Sequence, residues 1–221
     1  FRRVLFRSLN IQNFDTWKYG SNFFNIDALF SDGRDPANAS ASQGAVEVYA
    51  VYRGQLSPDA MFGINTKVGP FSAINLEIGG DFNTKNTTFA PEKKLFVAGP
   101  NFHFDVPIGF FNLGVHVSKE WNYNGIVGKA VDFDPAPEFE AVWLFPLTFT
   151  SLPLDFRGFA NLVMPKGKDG FKSQTAVEIL AQPKINLDLG KMLFGKPHVP
   201  DVYFAFEYWL NKFGNDHTKV P

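Results

Sequence analysis

The sequence predicts an all-β protein in the form of an antiparallel transmembrane β-barrel. Apolar and polar residues alternate with a period of two in about ten segments, as in strands with one apolar and one polar face. Several segments have about ten residues or more, which exceeds the usual soluble strand and suits a tilted crossing of a bilayer. In addition, 26 of the 221 residues are phenylalanine. In a soluble protein these rings would need one large core, whereas in a barrel they can face lipid.

The clearest hairpin is predicted at 94–121. In its second arm the odd positions from Phe111 to Val117 are apolar, and the even positions from Asn112 to Glu120 are polar or glycine. The first arm alternates in the same way up to Val106, and a short link at 107–110 reverses the chain. Two long alternating arms around a short link indicate paired antiparallel strands.

The same alternation predicts the other strands. They are expected at 9–14, 22–31, 44–55, 71–83, 137–145, 152–163, 175–189 and 201–212. The segment 71–83 is the most regular, because Ile74, Leu76 and Ile78 alternate there with Asn75 and Glu77. Together with the two arms of the hairpin, these segments give about ten predicted strands.

Aperiodic polar segments predict the connections. They are expected at 32–43, 57–70, 84–93, 122–136, 148–151 and 165–173. Short links fall at one end of the predicted barrel and longer polar loops at the other, which is typical of outer-membrane barrels. The connections at 57–70 and 190–200 are longer than this arrangement predicts. Pro100 and Pro183 fall within strands, where a missing N–H predicts bulges or irregular pairing.

The first eight residues, FRRVLFRS, resemble the translation of a sequencing-adapter oligonucleotide. We therefore expect residues 1–8 to be non-native and residues 9–221 to form a single barrel domain truncated at both ends. The tail of a signal peptide is the alternative, but this segment has neither an apolar core nor a small-residue cleavage site.

Charge and composition exclude several classes of protein. Without the three arginines of 1–8, the basic residues fall from 21 to 18 against 22 acids, and the formal net charge changes from −1 to −4. This mildly acidic chain has no lysine or arginine cluster, so we expect no nucleic-acid partner. It has no cysteine, and therefore no disulfide framework or thiolate metal site. The sequence contains no run of about eighteen apolar residues, so it predicts no transmembrane helix.

Four segments carry a resemblance to a known family. They are WKYGSNFF at 17–24, SDGRDP at 31–36, AGP at 98–100 with FDVP at 104–107, and YWLNKFGN at 208–215. The chain resembles the nucleoside-specific channel-forming outer-membrane proteins, the Tsx-type porins, and in particular a divergent branch of that family. The resemblance extends over almost all of 9–221.

The resemblance implies a barrel of twelve strands in the outer membrane of a Gram-negative bacterium, of which about ten are visible here. The first and last strands are expected to be missing, because the chain stops at 219–221 where the family's final strand begins. The implied function is passive uptake of nucleosides or similar small solutes by a monomer surrounded by outer-membrane lipid. No catalytic step, metal or cofactor is expected.

The inward faces of the predicted strands supply the candidate lumen residues. Tyr49, Tyr203 and Trp209 are candidates for stacking on a nucleobase, because every base has a π-face. Candidates for hydrogen bonding to the solute, or for setting the field, are Asp27, Glu47, Arg53, Asn75, Glu77, Asp81, His116, Glu120, Glu138, Glu140, Asp155, Arg157, Glu178, Lys184 and Glu207. The plain alternative is that opposite charges form cross-strand pairs that brace the wall.

Two other functions fit parts of the sequence. A soluble lipocalin-like binding protein would invert the alternation and gather the phenylalanines around an apolar ligand. An outer-membrane hydrolase would use His116 and Ser118, although strand neighbours two apart point in parallel and a third orienting group is needed. Glu138 and Glu140 resemble a glycosidase pair, but alternating acids are also expected in the wall of a cation-favouring pore.

Overall fold

The structure is a computed structural model that describes residues 6–33, 44–87, 91–197 and 200–215. Its strands are β1 (Phe6–Trp17), β2 (Gly20–Ser31), β3 (Val46–Leu56), β4 (Phe71–Lys85), β5 (Glu92–Phe104), β6 (Phe110–Asn124), β7 (Lys129–Asp132), β8 (Ala136–Pro146), β9 (Leu154–Val163), β10 (Glu178–Asp188), β11 (Asp201–Ala205) and β12 (Tyr208–Leu210). Two short helices, α1 (Pro58–Phe62) and α2 (Leu189–Phe194), follow β3 and β10. Neither has the length and apolar character needed to cross a membrane.

All the strands belong to one antiparallel sheet. Its order is β1-β2-β3-β4-β5-β6-β8-β9-β10-β11, with β7 paired to β6 and β12 paired to β10. Because β7 and β8 pair end to end with the same edge of β6, and β11 and β12 with the same edge of β10, the sheet has ten strand positions. It curls into a half-barrel. The prediction of an all-β, antiparallel, barrel-like fold with about ten strands is confirmed.

The two faces of the sheet differ in chemistry. Arg53 on β3 contacts Glu140 on β8, four positions away in the sheet, so the face that carries these residues is the concave one. Buried charged residues concentrate there, and Glu138 is only 1% exposed. The opposite face exposes large apolar side chains, such as Phe82 at 56% and Val117 at 60%. The period-two alternation of the sequence therefore separates a polar interior from an apolar exterior.

Several strand boundaries differ from the predicted ones. β1 is longer than the predicted strand 9–14, because pairing with β2 extends from Phe6, opposite Ser31, to Trp17, opposite Gly20. The predicted loop 122–136 contains β7, which extends the hairpin of β6. β10 begins at Glu178 rather than 175, because the Thr175 amide donates to the Gly167 carbonyl and holds a loop. Residues 1–5 and 216–221, and parts of the loops at 32–43 and 84–93, lie outside the described residues.

Both strand prolines interrupt pairing without shifting the register. In the β5–β6 ladder the pairs on either side of Gly99 and Pro100 keep one register. The predicted strand 201–212 is divided into β11 and β12, and the break lies opposite Pro183, whose carbonyl accepts the Phe206 amide at 3.0 Å. A proline has no N–H to donate to the ladder, so the partner strand loses one bond there.

The connections form two unlike rims. One rim carries the links at 18–19, 105–109 and 147–153, together with the segments that hold α1 and α2. The other carries the longer segments, including 164–177, which contains an isolated bridge between Lys168 and Gln174. The two long connections that departed from the short-turn pattern each contain a short helix with exposed apolar residues, among them Phe62 and Phe194.

Candidate functional site

The centre of the concave face is a network around Arg53. Its Nε and Nη2 atoms donate to Glu140 Oε2 at 3.1 and 2.9 Å, and Nη1 donates to Asp81 Oδ1 at 2.7 Å. Nη1 also donates to the Tyr52 carbonyl at 3.0 Å. The Tyr49 hydroxyl donates to the second oxygen of Asp81 at 3.1 Å. These bonds involve all three guanidinium nitrogens and join β3, β4 and β8.

Glu77 links this network to a second group of polar side chains. Its Oε1 lies 3.9 Å from Arg53 Nε and 3.3 Å from His116 Nε2. Its Oε2 accepts from Gln55 at 2.7 Å and from Asn101 at 2.8 Å. Glu77, Asn101 and His116 are all buried. A carboxylate in such a setting needs several donors, because an unpaired buried charge is costly.

Small residues make room for these long side chains. At Gly79 an added Cβ would lie 2.5 Å from the Tyr52 carbonyl oxygen and 2.7 Å from Arg53 Cδ. At Gly114 it would lie 2.3 Å from the nearest atom of the His116 ring. Both glycines face inward. Gly79 lies beside Arg53 of the neighbouring strand, and Gly114 lies beside His116 of its own strand. The inner wall therefore has space for the Arg53 and His116 side chains at these two positions.

A third group lies toward the rim of longer loops. Lys166, which belongs to the loop 164–177, turns inward and pairs with Glu120, and its Nζ lies 3.7 Å from Glu178 Oε2. The Trp209 indole N–H donates to Glu178 at 2.8 Å. The Lys166 ammonium also lies 4.8 Å from the centre of the Phe133 ring. This buried lysine ties the loop to the wall inside the mouth of the half-barrel.

A fourth group lies toward the rim that holds the helices. Asp155 pairs with Arg157 on its own strand and accepts from Asn186 at 3.1 Å. Nearer the end of the sheet, Lys184 lies 5.3 Å from the centre of the Tyr203 ring. These two residues are less buried than the central network, because the half-barrel is open beside β11.

The structure places the sequence-predicted site residues on one face, but in separate groups. Arg53, Tyr49, Glu77, Asp81, His116 and Glu140 form one connected network; Glu120, Glu178 and Trp209 form another; and Asp155, Arg157, Lys184 and Tyr203 lie near the helical rim. Glu138 is buried on β8, and its Oε2 atom has no hydrogen-bond partner among the described residues. The remaining four are wall contacts: Asp27 with Asn10 and Asn25, Glu47 with Asn83 and Lys85, Asn75 with Gln55, and Glu207 with Gln182.

Sequence reasoning did not include several contributors to these groups. Gln55, Asn101 and Asn186 lie on inward positions of predicted strands, so parity would have included them. His103 is a fourth, and its Nε2 lies 2.7 Å from Gln55 Oε1. Lys166 could not be found in this way, because it lies in a loop without periodicity.

The arrangement does not assemble a hydrolytic site from His116 and Ser118. The Ser118 hydroxyl donates to the Ala136 carbonyl at 3.2 Å, while His116 faces Glu77. Glu140 is occupied by Arg53. Asp132 pairs with Lys119, and no group of side chains in the described ranges is suited to hold a metal ion. What these groups provide is an acidic wall: the buried charged residues described include eight carboxylates but two cations, Arg53 and Lys166.

Comparison of the chain with models of protein families, with curated proteins and with solved structures finds no match. The resemblance of the four sequence segments to nucleoside channels therefore stays a prediction.

Proposed function

We propose that the chain forms the wall of an outer-membrane channel for passive uptake of nucleosides or similar small solutes. The observation that carries the proposal is the opposition of the two faces, with exposed apolar side chains outside and buried charges inside. A bilayer demands an apolar exterior and satisfied backbone groups, and a curled antiparallel sheet supplies both along its paired strands. A lipocalin-like protein requires the reverse distribution, with an apolar interior.

The inner wall suits small polar solutes. A barrel of about twelve strands lies between the filled eight-stranded barrels and the wide sixteen-stranded pores, so its lumen would be narrow. Tyr203 on β11, which is exposed, and Trp209 on β12, which is half-buried, carry aromatic rings on inward positions of the two segments that pair with the same edge of β10. They could stack on a base while the carboxylates and amides accept and donate hydrogen bonds to the sugar.

The test is the conductance of planar bilayers that contain the purified protein carrying this chain. We expect discrete channels whose conductance falls when adenosine or thymidine is added, because a bound nucleoside obstructs ion flow in a narrow lumen. Glucose at the same concentration is the control solute. Channels that respond to neither nucleoside would remove the solute assignment, and absence of channels would remove the proposal.

A further inference from the structure

The Arg53 side chain spans the inside of the half-barrel. Three strands, β4, β5 and β6, separate β3 from β8 in the sheet, so the path along the sheet is roughly 19 Å at the usual strand spacing. Nevertheless Arg53 Nη2 lies 2.9 Å from Glu140 Oε2. The side chains therefore cross the concave space as a chord rather than following the wall.

The chord is held at both ends. Asp81 and the Tyr52 carbonyl fix one edge of the guanidinium near β3 and β4, and Glu140 accepts two of its N–H groups on the far side. A guanidinium that donates in several directions from its planar fork is held in one orientation. A solute moving along the concave face at this level would meet the guanidinium.

The surroundings of the chord are acidic. Glu77 and Asp81 on β4, and Glu138 and Glu140 on β8, are all buried near it. Arg53 forms ion pairs with Glu77, Asp81 and Glu140, whereas Lys93 acts on Asp81 and Glu138 from a greater distance. Removing Arg53 would leave these carboxylates without their paired cation, and a lumen lined by an excess of one sign of charge attracts the opposite ion.

We infer that the Arg53–Glu140 bridge is the constriction of the channel, narrowing the lumen at its level and setting its charge selectivity. This inference rests on the proposed channel function. It assigns to one buried ion pair two measurable properties, the size of the ion current and the preference between cations and anions.

The experiment compares single-channel conductance and reversal potential in a KCl gradient. Arg53→Gln should raise the conductance several-fold and shift the reversal potential toward K⁺ permeation, because the bridge is lost and the carboxylates remain. Glu140→Gln should also raise the conductance, since it frees the far end of the bridge. The exchange Arg53→Glu with Glu140→Arg should return both properties toward the parent values.

Lys94→Gln is the matched control. Lys94 is also a strand cation, but it lies exposed on the outer face and pairs with Glu92 on its own strand, so its loss should leave the conductance near the parent value. If Arg53→Gln fails to fold, as judged by circular dichroism, Glu140→Gln carries the same test with the cation retained.

The inference is overturned if the folded bridge variants conduct and select ions like the parent protein. It is likewise overturned if Lys94→Gln raises the conductance as much as Arg53→Gln does. Nucleoside block of the parent channel is a separate readout of the proposed function. If nucleosides do not affect the parent channel but Arg53→Gln raises the conductance, the inference about the bridge stands and the assignment of nucleosides as the solute is wrong.

Discussion

At the scale of single residues, the inner wall depends on where side chains are absent. Gly79 lies beside Arg53 in the β3–β4 register, and the Arg53 side chain runs over it toward β8. Any Cβ at this position would meet the Tyr52 carbonyl oxygen at 2.5 Å, which is closer than packed atoms tolerate. Packing, and not turn geometry, therefore requires a glycine at position 79.

Gly79→Ala should lower the free energy of unfolding by about 1–3 kcal/mol, the usual cost of overpacking. Urea unfolding in detergent, followed by tryptophan fluorescence, measures it. Gly54→Ala is the control, because Gly54 faces outward and its added methyl would meet only the far end of the Tyr52 side chain, not backbone. Equal losses in the two variants would show that the inward space is not what matters.

Lys166 is the second residue whose loss has a defined consequence. Lys166→Gln leaves the buried Glu120 and Glu178 without this cation, and breaking a buried ion pair by removing one partner costs about 3–5 kcal/mol. We expect the loop 164–177 to separate from the wall, so that trypsin cleaves it faster. Lys168→Gln, at an exposed position of the same loop, should leave the stability unchanged and only remove one cleavage site.

Most of the charged inner wall could be predicted from the sequence, because period-two parity places a residue on one face without any knowledge of its partners. Glu77, Glu138 and Glu140 were found in this way. The grouping of these residues could not be predicted, since the contact between Arg53 and Glu140 depends on how tightly the sheet curls. Alternation carries no information about curvature, and none about a loop residue such as Lys166.

At the scale of elements, Pro183 divides the last strand position. The Pro183 carbonyl accepts the Phe206 amide, but the proline nitrogen cannot donate in return, so the ladder from β10 breaks between β11 and β12. Both segments keep the same register with β10. The break is therefore local, and one N–H would be enough to join them.

Pro183→Ala should restore a continuous strand through Phe206 and slow amide hydrogen exchange across 201–210. One added backbone hydrogen bond contributes about 0.5–1.5 kcal/mol, so the melting temperature should rise slightly. Pro165→Ala, in an exposed loop position, is the control and should not change exchange in this segment. Unchanged exchange in Pro183→Ala would mean that the break has another cause.

The short helices are elements that the sequence analysis missed, although their signals were present. Ser57 caps α1 by accepting the Ala60 amide at 3.2 Å, Pro58 occupies its first turn, and Gly63 ends it in the left-handed region with φ of 68°. Such caps are standard helix boundaries. A helix of five residues is too short to show a period of 3.6, so a search for periodicity cannot detect it.

At the scale of the whole molecule, the exterior decides which solvent the protein requires. Val117 lies in the middle of β6 on the outer face and is 60% exposed, whereas Val46 begins β3 near the rim of longer loops. If lipid covers the outer face, a charge at position 117 is buried in hydrocarbon, whereas a charge at position 46 lies near water.

Val117→Lys should therefore destabilise the protein in lipid vesicles by about 2–4 kcal/mol, and Val46→Lys by about 0–1 kcal/mol. Urea unfolding of the vesicle-inserted protein measures both. In a soluble protein, a lysine at either exposed position would change stability by about 0.5 kcal/mol or less. Equal small effects, or a protein that stays monodisperse without detergent, would argue against a membrane location.

The bridge between Arg53 and Glu140 also has a kinetic consequence. The two residues are 87 positions apart in the chain, and they can meet only after the intervening hairpins have formed and the sheet has bent. Contacts between such distant residues close late, because the chain must first lose the entropy of the intervening loop. In Arg53→Gln, we therefore expect faster unfolding and a nearly unchanged refolding rate, which stopped-flow fluorescence would record as a φ-value close to zero. A marked slowing of refolding would place the ion pair in the nucleus.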